Sequence, residues 1–165
     1  GLPFMGLPAY FRPLYFLGGL RVFALPVGVL AVVGLTLAAR DDPRAARPTF
    51  ALGVASILLL APRAYTQDLP VLLLPALILV AVELDREDGY PWIPVLAVLL
   101  LHVHSFGTRL MIQVVGQANA PYVQPGMYAT FLLVGLAAVR VGEYATLPAA
   151  LGGAAGTTPD TDAGD

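Results

Sequence analysis

The chain has 165 residues, 58% of them hydrophobic and 12% charged, with a formal net charge of −2 and a mean hydropathy of +0.77. Soluble chains carry about a quarter charged residues, so this composition points to a polytopic membrane protein, and the acidic balance excludes a nucleic-acid binder built on a basic surface. Cys is absent, which excludes disulfides, thiolate metal sites and a Cys nucleophile.

The chain opens Gly1-Leu2-Pro3-Phe4. No basic segment precedes an apolar core and cleavage site, so this is not a signal peptide. It reads as the start of the C-terminal part of a longer protein. Residues 1–19 are apolar and aromatic but broken by Pro3, Pro8 and Pro13. Proline inside a helix removes a hydrogen bond and clashes with the preceding turn, which predicts an outward loop or interfacial segment. Its Tyr10, Phe11, Arg12, Tyr15 and Phe16 suit the headgroup zone.

An all-α transmembrane bundle of about five spans follows, since roughly 20 apolar residues cross a hydrocarbon core. The spans lie near 20–39, 49–62, 69–84, 92–106 and 125–139. Pro26 kinks the first, and Pro75 lies inside the third. Polar loops cover 40–48 and 85–91. A longer connection, 107–124, carries an amphipathic segment. The C-terminal segment, 141–165, ends in a Gly, Ala, Thr and Asp tail too polar to bury, which predicts disorder.

All nine basic residues are Arg. Alternating spans put Arg40, Arg44, Arg47, Arg86 and Arg140 on one side and Arg12, Arg21, Arg63 and Arg109 on the other. The tight cluster in the 40–48 loop places that side, with the tail, in the cytoplasm. The 63–68 and 107–124 loops then face outward.

The hexapeptide Arg63-Ala64-Tyr65-Thr66-Gln67-Asp68 sits between two apolar runs. Ionisable groups held at membrane depth are costly and mark functional sites. The Arg63 fork suits a phosphate, while Asp68 suits sugar hydroxyls or a bond to Arg63; Tyr65 adds a phenol. Asp68 also reads as the cap of the third span, with Leu69 at N1 and Pro70 at N2, and Arg63 as a snorkelling cation. Arg109, Gln113 and Gln117 are spaced i, i+4, i+8 and share one helix face. That stripe either lines the same outward pocket or is simply solvated. His104, near the outward end of its span, serves as hydrogen-bond donor or general acid there, or packs against a neighbouring carbonyl. His102 and His104 are an i, i+2 pair pointing to opposite sides of a helix, not the i, i+4 pair that holds a metal, so no metal or cofactor is expected. Glu83, Asp85, Glu87, Asp88 and Glu143 read as solvated acids.

The run Pro62-Arg63-Ala64-Tyr65-Thr66-Gln67-Asp68-Leu69, then Leu72-Leu73-Leu74-Pro75, resembles the C-terminal half of glycosyltransferase family 87. Gln124-Pro125-Gly126 opening the last span and Arg140 closing it add to the likeness, which covers roughly residues 50–140. These are membrane enzymes of the GT-C class that take a sugar, often mannose, from a polyprenyl-phosphate donor. The resemblance implies that Arg63, Tyr65 and Asp68 support the donor's phosphate or sugar. The family's catalytic carboxylate lies in the first outward loop of the full enzyme, and nothing in this sequence corresponds to it. A transporter or flippase module, or a non-catalytic membrane subunit, is the alternative, since proline-interrupted spans around a polar site suit alternating access.

Overall fold

The computed structural model describes residues 10–11, 15–60, 64–116 and 124–145. The fold is all-α apart from one two-residue ladder. Its helices are α1 (Arg21–Ala38), α2 (Ala46–Leu60), α3 (Leu73–Leu84), α4 (Trp92–Val115) and α5 (Pro125–Tyr144). The ladder pairs β1 (Tyr10–Phe11) antiparallel with β2 (Ala64–Tyr65), Tyr10 opposite Tyr65. Short 3₁₀ turns cover Tyr15–Leu20, Pro43–Ala45 and Thr66–Leu72.

Proline placement explains where the helices begin. Pro48, Pro75 and Pro94 are each the third residue of their helix, and Pro125 is the first. The first four N–H groups of a helix have no intrahelical acceptor, so a missing donor costs nothing there. Pro26 is the exception, six residues into α1. Asp42 accepts the Arg44 backbone N–H at 2.9 Å and starts the turn that leads into α2.

The helices run alternately up and down. α5 is central and packs most extensively on α2 and α4; α3 bridges those two, and α1 lies on α2 and α5. At one end the start of α2 meets the ends of α3 and α5, through Arg47–Asp85 and Arg86–Glu143. At the other end lie β1, β2, the Thr66–Leu72 turn and the start of α5.

The core mixes alanine with leucines such as Leu52, Leu79 and Leu133, and large apolar side chains also cover the outside. Ala51, Ala55, Ala76, Ala97, Ala129 and Ala137 are each 0% exposed. Phe23, Leu30, Ile57 and Leu77 are 68%, 70%, 70% and 65% exposed. Among the described residues, α5 alone is long and apolar enough to cross a membrane by length and composition, with 56% of its apolar window buried inside the bundle. The apolar stretches Val22–Ala38, Leu69–Leu84 and Trp92–His104 are shorter.

Two expectations change. The fourth helix does not stop near residue 106 but continues to Val115, because no proline or glycine breaker of the required geometry intervenes before Gly116, which adopts φ 81°. Segment 107–115 therefore prolongs α4 and is not a separate surface helix. Within the expected outward loop or interfacial segment, residues 10–11 form a short strand and 15–20 a 3₁₀ turn. Asp68 is not the cap of α3: that helix starts at Leu73, its N-cap is Leu72 with no side-chain bond, and Asp68 lies within the preceding 3₁₀ turn.

Candidate functional site

At the end opposite the ion pairs, three stretches of chain converge. Leu69, buried at the foot of the hexapeptide, and His104 of α4 both pack against Gly126 in the first turn of α5. A Cβ on Gly126 would lie 3.2 Å from His104 Cγ and 3.3 Å from Leu69 Cδ1, so glycine is what lets α4 and α5 approach there. His104 is 3% exposed. Its neighbour His102 is exposed and bonds through Nδ1 to the Val98 carbonyl at 2.9 Å, so the two rings do lie on opposite faces. Gln124, the N-cap of α5, does not use its side chain as a cap, and its Oε1 is buried without a hydrogen-bond partner among the described residues.

The other predicted residues distribute unevenly. Tyr65 lies in β2, held by backbone pairing to Tyr10, and Asp68 follows in the 3₁₀ turn. Arg63 and Gln117 lie outside the described residues. Arg109 and Gln113 are both on α4, five and nine residues beyond His104, which is about 7 and 13 Å further along the axis. Gln113 is exposed. Since α4 ends at Val115, the helical stripe stops before Gln117.

The opposite end holds an arrangement that the sequence reading missed. Glu83 was expected to be solvated, yet it is 1% exposed. Arg140 donates to it twice, Nε to Oε1 and Nη2 to Oε2, both at 2.7 Å. The Tyr90 backbone N–H donates to Glu83 Oε2 at 2.7 Å. Arg140 Nη1 also binds Glu143 Oε1 at 2.5 Å, and Glu143 Oε2 accepts from Arg86 Nη1 at 2.9 Å. Arg86 continues to Asp88 at 3.2 and 3.3 Å. Glu143 is thus an ion-pair bridge and not a free surface acid.

A signal for this existed. Pro75, Ala76, Leu79 and Glu83 are buried on α3, and Leu133, Leu136, Ala137 and Arg140 on α5. Both charges continue an inward stripe at i, i+3 or i, i+4 spacing. A second pair is exposed: Arg44 donates to Asp42 through Nε at 3.1 Å and Nη2 at 2.8 Å. Those side-chain bonds, helped by the Arg44 backbone N–H, hold the Asp42 carboxyl below the usual carboxylate range and push the Arg44 guanidinium up. Arg44 also lies 5.5 Å from the Tyr144 ring centroid.

No family model, curated protein or solved structure matches this chain.

Proposed function

We propose that the chain is a five-span membrane bundle forming the C-terminal part of a glycosyltransferase. It would transfer a hexose, mannose by resemblance, from a polyprenyl-phosphate donor to an acceptor at the outer face. The membrane placement is supported by the large apolar side chains that cover the outside of the bundle and by the alanines set among leucines at the helix contacts. In lipid there is no hydrophobic drive between helices, and small residues that allow close backbone approach fill the contacts. The arginine cluster orients the Arg40–Arg47 end, the 85–91 loop and the tail to the cytoplasm, with the hexapeptide and residues 107–124 outward.

The observation that carries the site is the junction of the hexapeptide turn, His104 and Gly126 beside the buried, unmatched Gln124 Oε1. A buried acceptor left without a donor costs about 1–3 kcal/mol, and a sugar hydroxyl supplies such a donor. In the reaction an acceptor hydroxyl attacks the anomeric carbon, the bond from that carbon to the phosphate oxygen breaks, and polyprenyl phosphate leaves with the electron pair. A carboxylate of the full enzyme takes the proton. Arg63 and Arg109 neutralise the leaving phosphate, an electrostatic role that is often the largest catalytic contribution.

The reading is checked in membranes containing the full enzyme and a polyprenyl-phosphate hexose. Arg63→Ala and Asp68→Ala are expected to lower transfer at least about tenfold, roughly one lost charged contact, with insertion unchanged. Unaltered transfer in both variants removes their roles. Uptake into liposomes without a covalent product replaces the enzyme by a transporter.

A further inference from the structure

Three arginines from separate stretches converge at the polar end of the bundle. Arg44 lies in the turn before α2, Arg47 in the first turn of α2, and Arg86 in the loop after α3. With Asp85, Val82 and Tyr144 they line an open cleft of about 480 Å³. The surrounding carboxylates orient two of the guanidiniums: Asp42 takes Nε and Nη2 of Arg44, and Asp88 and Glu143 together occupy Arg86. Among the described residues Arg47 is held by Asp85, through Nη1 at 3.4 Å, with side chains 69% and 71% exposed. An ion pair that long and that exposed is weak. A guanidinium has five N–H donors, so among the described residues Arg47 Nε and Nη2 and Arg44 Nη1 have no protein acceptor. Leu84 and Trp92, 67% and 60% exposed, flank in sequence the loop that carries Arg86.

We infer that this cleft binds the phosphate of an anionic membrane lipid headgroup, with Arg47 as its principal ligand. The inference rests on the membrane placement proposed above and is independent of the transferase reading. The planar fork of arginine meets two phosphate oxygens at once, and basic pockets between helix ends on the cytoplasmic side hold anionic headgroups. Because Asp42, Asp85, Asp88 and Glu143 offset the arginine charges, selection comes from fork geometry at Arg47 and not from a broad positive field.

The experiment is native mass spectrometry of the full chain in neutral-detergent micelles with equal phosphatidylglycerol and phosphatidylcholine. Wild type is expected to prefer phosphatidylglycerol by about fivefold, the worth of one interfacial arginine. Arg47→Gln abolishes the preference and Arg47→Lys keeps part of it. Arg40→Gln, the same charge loss on a residue outside the cleft that pairs with Asp41, keeps all of it. Equal adducts of both lipids on wild type overturn the inference. So does an equal loss in Arg40→Gln, which reduces the effect to net charge. Full displacement by millimolar inorganic phosphate overturns the lipid assignment in favour of a soluble phosphate compound. Far-UV circular dichroism confirms that the variants fold. Failure of wild type to float with phosphatidylcholine vesicles removes the membrane placement itself, a separate outcome from loss of lipid preference.

Discussion

Glu83 and Arg140 form a fork-on-fork pair with almost no solvent access, 0% and 5% for the two side chains. Bidentate geometry and the extra bonds from Tyr90 and to Glu143 offset the cost of removing both charges from water. Arg140→Ala leaves the carboxylate enclosed with one backbone donor and is expected to cost about 3 kcal/mol, the lower end for a broken buried pair because polar neighbours remain. The double replacement Glu83→Leu with Arg140→Met recovers most of that loss, since apolar side chains of similar volume substitute well for a buried pair. Unfolding in mixed micelles checks both, and a double variant weaker than Arg140→Ala refutes the account. Asp42 shows the exposed counterpart. Its folded value is lowered by Arg44, so its capping contribution is fully present above the unfolded value of about 3.9. It drains away as pH falls through the lower folded value. Carbon-detected titration should place the Asp42 carboxyl below other exposed aspartates, and Arg44→Ala should move it back up.

At the scale of elements, the loop from Asp85 to Pro91 is held by its return to the α3 terminus. A Cβ at Gly89 would overlap the Glu83 carbonyl oxygen, so this loop closes only around glycine. Gly89→Ala is expected to destabilise by about 1–3 kcal/mol, as forced overpacking does. It should also speed hydrogen exchange at the Tyr90 amide, whose bond to Glu83 depends on that closure. Unchanged exchange there would show that the loop tolerates the shift. The helices themselves were legible before any packing was known, because apolar runs between polar loops mark them. The strand at Tyr10–Phe11 is an exception, because it depends on pairing with Ala64–Tyr65, a distant segment that local pattern does not contain.

For the whole molecule, alternation of the helices brings Arg44, Arg47, Arg86 and Arg140 to one end, as the spacing of polar loops along the chain had implied. Which side of a membrane that end faces is open to direct measurement, because the chain has no Cys. Single replacements Arg40→Cys and Asp88→Cys are expected to react with an impermeant maleimide only after permeabilisation. Thr66→Cys and Gly116→Cys should react in intact cells. Labelling of all four in intact cells contradicts the proposed topology.

The sequence by itself determined the all-α class, the approximate helix positions and the division of polar loops between two ends. Those follow from composition, period and proline placement, which are local properties. It also placed the hexapeptide and His104 at the same end. Only the tertiary structure decided that Leu69 and His104 meet at Gly126, and that Glu83 and Glu143 belong to a ladder with Arg140 and Arg86. Whether a charge near a helix end is solvated or enclosed depends on which helix lies opposite. For Glu83 that partner is 57 residues away along the chain, a separation that only the packing of α5 closes.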